Sequence, residues 1–338
     1  MKQIFVDVPI DPAGLESLRS IPDVQVMLAD PIADNAAIVR PAKQIRDVQI
    51  CFGSFLPTNL QDMPQLQCVQ LASSGYEQII GLDLPARGVR ACNARGVFDT
   101  AIAEWNVAMM VCMARNMRQM IRNQEAKIWD RAAQFQTEIR GMKVGLWGYG
   151  GIGRQTARLC KALGMTVHVL TRSGVKPRPN VYTVPDSGDS EGVLADREFT
   201  MEHKNEFLSQ LDFLVLCMPL TKATEGIVGL DELRTLPSRA YLLNPARGPL
   251  VQERALLQAL KEGSIAGAAL DTHYHYPLPA EHPLWGFENV ILTPHISGSA
   301  ESPYYRLRTW DLFVQNVQRY FSDEPLLNEL SPQQLSGK

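Results

Sequence analysis

The chain of 338 residues sets 33 Lys and Arg against 36 Asp and Glu, a net charge of −3, with 45% hydrophobic and 20% charged residues. This is an ordinary globular balance for two domains, each with its own core, and without a basic stripe it argues against nucleic acid as a partner. The opening MKQIFVDVPI is too short and too acidic for a signal peptide, and the most apolar helical run, 107–114, lies between Glu104 and Arg115 and falls short of a membrane span. Residues 4–8 read as a first strand, and 11–20 as a helix begun by Asp11 with Pro12 at its first position. Strand-like bursts follow at 24–28, 48–52, 68–71 and 89–92, separated by helical or turn-rich segments, which implies a parallel α/β unit. The loop Ser73-Ser74-Gly75 falls at the carboxyl end of a strand, where open α/β sheets place ligands.

Residues 100–122 read as one long helix bridging two domains, with Ile102, Val107, Met110, Val111, Ala114, Met117 and Met120 on its apolar face. Met109, Met113 and Met117 are assigned to a core or subunit interface. The six cysteines (Cys51, Cys68, Cys92, Cys112, Cys160, Cys217) are scattered without a C-x-x-C and read as reduced core thiols of a cytoplasmic protein.

The stretch 143–173, KVGLWGYGGIGRQTARLCKALGMTVHVLTRS, organises the chain. Apolar 143–147 suits a buried strand. Gly148-Tyr149-Gly150-Gly151-Ile152-Gly153 then opens a helix through Leu163, and 166–170 is a second strand. This is β-α-β with G-x-G-x-x-G in its first turn. Gly148 permits the tight turn, Gly150 lets a pyrophosphate approach the backbone, and Gly153 lets helix pack on strand, while the helix N-terminus holds phosphate. The carboxylate that would bind an adenosine ribose after the second strand is absent. Thr171, Arg172 and Ser173 stand there, a set suited to a 2′-phosphate, so NADP(H) is the preferred cofactor and NAD(H) is also admitted.

After a Pro-, Gly-, Asp- and Ser-rich surface excursion at 176–197, strands are expected at 212–218, 240–243, 265–270 and 289–292. Helices are expected at 251–263 and 303–321. Arg247, Asp271 and His295 follow three of these strands, so they should converge on the cofactor crevice. Hydride exchange with a 2-oxo or 2-hydroxy acid needs a guanidinium to clamp the carboxylate and an imidazole to move the hydroxyl proton, roles that suit Arg247 and His295.

NPARG at 244–248, ALD at 269–271 and LTPHISG at 292–298 follow the glycine motif in this order. With PLT at 219–221, IAE at 102–104 and the terminal VQNVQRYFSDEPLLNEL, they resemble the D-isomer-specific 2-hydroxyacid dehydrogenases over nearly the whole chain. The resemblance implies an α/β fold of two doubly wound parallel-sheet, Rossmann-like domains with a cleft between them. A discontinuous, flavodoxin-like substrate-binding (lid) domain would take 1–98 plus 299–338, and an NAD(P)-binding Rossmann domain 99–298. A homodimer through the cofactor domain is also implied. By the same resemblance, Ser74 and Gly75 offer backbone N–H groups to the substrate carboxylate, Arg247 binds substrate, His295 is the acid/base, and Asp271 lies near the nicotinamide carboxamide. Pro219, Thr224, Ala246, His295 and Gly298 join Gly148, Gly150, Gly151, Ile152, Gly153, Thr171, Arg172 and Ser173 as cofactor contacts.

One position departs from the family. A glutamate five residues after the aspartate, just before a proline, pairs with the family's catalytic histidine, and DTHYHYP puts Tyr276 there. A carboxylate would raise the histidine pKa by about one to three units. A phenol, with a reference pKa near 10, exerts no such field, so His295 should titrate low and be mostly neutral at pH 7. Three readings of Tyr276 stay open. It hydrogen-bonds His295, or His273 or His275 supplies the missing partner, or the chemistry needs no hydroxyl proton transfer, as in the related formate dehydrogenases. His273 and His275 without a third ligand make a poor site, so no metal is expected.

The expected function is hydride transfer between NADP(H) and a small 2-oxo or 2-hydroxy acid, of the glyoxylate/hydroxypyruvate reductase type. The alternatives are a lyase or dehydratase with transient cofactor reduction and a non-catalytic cofactor-sensing protein. The retained Arg247 and His295 argue against the last. Tyr76, Phe98, Trp105, Tyr304 and Tyr305 are candidates for a substrate pocket, a core or a dimer seam.

Overall fold

Short apolar bursts alternating with helices produce parallel strands throughout this protein, because a crossover helix returns each strand to the same direction. The computed structural model describes residues 2–29, 39–132, 136–299 and 301–336. The chain forms two units: Met1–Phe98 with Pro179–Val184 and Ala300–Lys338, and Asp99–Arg178 with Pro185–Ser299.

The first unit begins β1 (Lys2–Asp7), α1 (Pro12–Arg19), β2 (Val24–Leu28), α2 (Ala42–Ile45), β3 (Val48–Gly53), β4 (Cys68–Leu71) and β5 (Arg90–Cys92). Asp11 caps α1, its Oδ2 accepting the Gly14 N–H at 2.8 Å, with Pro12 at the first helical position as expected. The five strands pair in parallel in the order β2-β1-β3-β4-β5, which is that of flavodoxin-like sheets. Strand alternation sends Ile4, Val6, Ile50 and Phe52 into one core layer and Phe5, Cys51 and Val69 into the other.

The second unit contains α3 (Asp99–Ala114), α4 (Met117–Glu125), β6 (Lys143–Trp147), α5 (Gly151–Ala162), β7 (Thr166–Leu170) and β8 (Arg197–Phe199). It continues with α6 (Lys204–Leu208), β9 (Phe213–Leu216), α7 (Leu230–Thr235), β10 (Tyr241–Asn244), α8 (Glu253–Glu262), β11 (Gly267–Leu270) and β12 (Val290–Leu292). Its seven strands are parallel in the order β12-β11-β10-β9-β6-β7-β8. The strand order reverses between β6 and β9, so the loops leaving those two strands open the crevice in which such sheets bind ligands. Back in the first unit, α9 (Pro303–Phe321) buries Trp310 and Phe313 against Phe52, whose ring stacks on Phe313 at 4.2 Å. The short α10 (Pro332–Leu335) follows.

Two expectations need correction. The single helix at 100–122 is two helices, because Asn116 turns to φ +46 between them, a left-handed conformation that Asn tolerates better than most residues. The break resets the helical phase. Ala103, Asn106, Met110, Met113 and Ala114 are buried, whereas Val111 and Met117, assigned to the apolar face, are 37% and 39% exposed. α3 lies wholly in the second unit, tied to α5 by the buried bond from Asn106 Nδ2 to Thr156 Oγ1 at 3.0 Å. The excursion at 176–197 is also more than surface. Tyr182 is 4% exposed within the first unit, its hydroxyl donating to Asp311 Oδ2 at 2.9 Å.

All six cysteines are free. Burial pushes the thiols of Cys51, Cys68 and Cys160 up to about 12, which keeps them protonated and inert. No helix among the described residues is long and apolar enough to cross a membrane.

Candidate active site

The glycine loop leaves β6 through Gly148 at φ +104, a conformation closed to side-chain-bearing residues, and a Cβ there would stand 2.8 Å from the Cys217 backbone. A Cβ on Gly153 would meet the Gly148 carbonyl oxygen at 2.5 Å, so α5 packs directly on the turn. Gly151, Ile152 and Gly153 form the first turn of α5, whose N–H groups have no intrahelical partners. In front of Gly150, chain neighbours aside, the only atom of the described residues within 4 Å of an added Cβ is Arg178 Nη1, at 3.9 Å. That open space beside free N–H groups fits a dinucleotide pyrophosphate. Thr171 follows β7, and Arg172 and Ser173 are exposed beyond it. After β9, Thr224 Oγ1 donates to the Pro219 carbonyl and accepts the Thr221 N–H, both at 2.8 Å, which folds the segment that carries Pro219 and Thr224.

The loops after β10, β11 and β12 meet. Buried Asn244 accepts the Ala246 N–H at 3.1 Å and donates to the Arg247 carbonyl at 2.8 Å, fixing the turn that presents Arg247 to solvent. Gly248 lets this turn press against the next loop, because a Cβ there would lie 2.5 Å from the His273 carbonyl. Asp271 is fully buried. Its Oδ1 accepts from Thr293 Oγ1 at 2.5 Å and the Ile296 N–H at 2.9 Å, and its Oδ2 accepts from the Ser297 N–H at 3.0 Å. Its carbonyl takes the His295 N–H at 2.8 Å. His295 is thereby held at φ +57, and Gly298 closes the same loop. A non-glycine residue in this conformation costs about 1–2 kcal/mol, and the Asp271 network offsets it.

The environment of His295 explains its acidity. The His295 surface is exposed, but the protein packed around the ring lowers its pKa, Arg247 lowers it further, and the pull of Asp271 only partly opposes them. The Arg247–Gly248 turn packs on the His273 carbonyl, and His273 and Asp271 bond to the Thr293–His295 segment, so Arg247 and His295 stand on one cluster of loops.

Tyr276 lies beside His295 but does not hydrogen-bond it. The ring centroids are 5.6 Å apart at 55°, while the Tyr276 hydroxyl accepts the His273 N–H at 3.2 Å. His273 is no substitute for a carboxylate. Its Nε2 donates to the Thr293 carbonyl at 2.8 Å, and its charge would depress the His295 pKa. The His275 ring lies 6.4 Å from that of His282, and the carboxylate–imidazole pair of this region is Glu253 with His282, at 2.6 Å. Among the described residues, His295 therefore has no side-chain hydrogen-bond partner.

Ser74 and Gly75 lie in the first unit, after β4. The Ser74 hydroxyl donates to the Ala94 carbonyl at 3.1 Å, and Asn93 Nδ2 donates to the Ser74 carbonyl at 2.7 Å. Tyr305 donates its hydroxyl to the Ala72 carbonyl at 2.8 Å and stacks on Phe98, while Tyr304 is exposed. Asn244 and the structural use of Asp271 escaped the sequence reading. An asparagine ahead of proline and arginine is the only signal for the first, and the second depends on chain-distant N–H groups that leave no local pattern.

Residues 107–297 match the family described as D-isomer specific 2-hydroxyacid dehydrogenase, NAD binding domain. The chain is 33% identical over 258 residues to a glyoxylate reductase of Thermofilum pendens, covering 75% of this chain and 71% of that one. It is 30% identical over 317 residues to a glyoxylate reductase of Thermococcus gammatolerans, covering 88% and 86%. It superposes with a TM-score of 0.72 and 28% identity, over 98% of each chain, on an NADPH-dependent glyoxylate/hydroxypyruvate reductase of Sinorhizobium meliloti solved with citrate. With the glycine loop, Arg247 and His295 on one sheet, these matches make the chain an NAD(P)-dependent oxidoreductase that belongs to the D-isomer-specific 2-hydroxyacid dehydrogenases.

Proposed function

We propose that the protein reduces small 2-oxo acids of the glyoxylate and hydroxypyruvate kind to 2-hydroxy acids with NADP(H). The observation that carries this reading is the clustering of Arg247 and His295 at the ends of parallel strands in the unit that holds the glycine loop. The nicotinamide cofactor, when bound, supplies the hydride for C2 of the 2-oxo acid. Arg247 clamps the substrate carboxylate and polarises the carbonyl, and backbone N–H groups of Ser74 and Gly75 give the carboxylate further donors. His295 passes its proton to the carbonyl oxygen as hydride arrives. Asp271 keeps the His295 loop in place and, with Pro219, Thr224, Ala246 and Gly298, borders the cofactor. Exposed Arg172 between Thr171 and Ser173 takes the 2′-phosphate, hence the preference for NADP(H).

Because burial and Arg247 lower the His295 pKa, the ring is mostly neutral at pH 7, so reduction quickens as the pH falls toward that lowered value. Residues 1–98 plus 299–338 act as the substrate-binding lid and 99–298 as the cofactor domain. A second copy of the chain covers the cavity of about 400 Å³ lined by Met109, Met117, Ile121, Leu284 and Trp285. Sedimentation would read this as a dimer, in keeping with a cytoplasmic protein of free thiols.

Enzyme mixed with NADPH and glyoxylate, hydroxypyruvate or phenylpyruvate should lower the NADPH absorbance. No oxidation across a broad 2-oxo acid panel would remove this reading, and turnover with only catalytic amounts of cofactor would favour a lyase.

A further inference from the structure

We infer that Arg178 binds the pyrophosphate of the cofactor, so the cation opposite the glycine loop comes from the excursion after β7. The loop itself has no room for one. A Cβ on Gly151 would stand 1.7 Å from Asp99 Oδ2, and Gly148 and Gly153 are closed by backbone. Gly150 alone faces open space, and Arg178 Nη1 is the atom that borders it, at 3.9 Å.

Arg178 is carried there by a built scaffold. Its own N–H donates to the Ser190 carbonyl at 3.1 Å. Asp189 Oδ1 accepts the Gly192 and Val193 N–H groups at 3.1 and 2.9 Å, and its Oδ2 accepts the Leu194 N–H at 3.0 Å. The same Oδ2 accepts from the hydroxyl of Tyr149, a residue of the glycine loop, at 2.6 Å. Arg154, on α5, is 4% exposed and donates to the Tyr149, Asp189 and Lys176 carbonyls, which ties both arms of the excursion to the loop.

The two arginines differ in what they satisfy. The Arg154 guanidinium is occupied by carbonyl oxygens, whereas that of Arg178 has no hydrogen bond or ion pair among the described residues. They are close enough for Arg178, second to burial, to press the Arg154 pKa down. A like-charge neighbour and no ion pair of its own among the described residues make an unfavourable place for a guanidinium until an anion arrives. A phosphate beside free helix N–H groups meets that need, and guanidinium pairs with phosphate through two parallel hydrogen bonds.

Arg178 has this role only if the loop holds the dinucleotide proposed above, so wild-type affinity is measured first. Calorimetric titration with NADPH, NADH and ADP-ribose then compares wild type, Arg178→Ala, Arg178→Lys and Arg172→Ala. Arg178→Ala should weaken all three ligands alike, by about ten- to a hundredfold, and Arg178→Lys should recover part of the loss. Arg172→Ala should weaken NADPH far more than the other two. Unfolding of nucleotide-free Arg178→Ala should occur at an unchanged or slightly higher temperature, because a repulsion is relieved. Unchanged affinities in Arg178→Ala would overturn the assignment, as would a loss confined to NADPH, which would move Arg178 to the 2′-phosphate. A drop in the nucleotide-free unfolding temperature would make Arg178 a structural tie and overturn it too. Wild type that binds none of the three ligands would instead remove the cofactor reading itself.

Discussion

The glycine loop after β6 and the paired loops after β11 and β12 serve one reaction but are specified differently. The first is a backbone site: Gly148, Gly151 and Gly153 are fixed by the atoms a Cβ would strike. The second is a side-chain site. Its shape comes from one buried carboxylate, Asp271, collecting a hydroxyl and two N–H groups, and its chemistry from whatever stands beside His295. A backbone site accepts few changes and keeps its ligand. A side-chain site can keep its shape while its acid–base behaviour moves, and Tyr276 illustrates this. The His295 loop is held by Asp271, and the ring, with no carboxylate hydrogen-bonded to it among the described residues, has its pKa lowered by burial and by Arg247.

That contrast can be broken by substitutions on either side. The largest effect should follow Arg247→Ala or His295→Asn, which remove a clamp or a proton donor. Each should lower kcat/KM for glyoxylate reduction by about a hundred- to ten-thousandfold while NADPH affinity, measured by titration, stays near wild type. A parallel loss of NADPH affinity would show that the two sites are not separable. Gly153→Ala should act in the opposite sense. Its Cβ would meet the Gly148 oxygen at 2.5 Å, so denaturant unfolding should show about 1–3 kcal/mol lost, together with weakened binding of both nucleotides. An alanine tolerated there without either loss would mean that the turn is softer than its packing implies. Arg172→Ala sharpens the cofactor side further and should cost about tenfold in NADPH affinity with little change for NADH. Equal losses would remove Arg172 from the 2′-phosphate.

The smallest effect concerns pH and stability. Buried His168, whose Nδ1 has no hydrogen-bond partner among the described residues, has its pKa lowered by burial and by Lys143 and Arg197, and His295 is also lowered. Below about 6.5, the unfolded chain takes up protons that the folded one resists, so stability should fall as pH drops from there toward the lowered values and level off beneath them. Urea midpoints across that range would check the sign, and a His168→Phe variant should show a shallower slope.

The sequence announces what depends on local pattern. The strand ends that place Gly148, Arg247 and His295 follow from apolar bursts closed by polar residues, and the replacement of the family's glutamate by Tyr276 could be read from DTHYHYP. The break at Asn116 could not, because a single left-handed residue leaves the apolar spacing looking continuous. Tyr182 was hidden by its polar surroundings, although it is buried and bonded to Asp311. The partner of Tyr276 was also out of reach. Its hydroxyl is taken by a main-chain N–H three residues away, a bond set by the path of the loop.

The central claim is that His295 works without a carboxylate beside it, and the pH dependence of glyoxylate reduction by NADPH in wild type and Tyr276→Glu tests it most directly. As pH rises, the wild-type rate should begin to decline while the pH is still below neutral, because burial and Arg247 lower the pKa of the proton donor. A glutamate beside His295 should carry that decline about one to three units toward alkaline pH. Superimposable profiles would contradict the account.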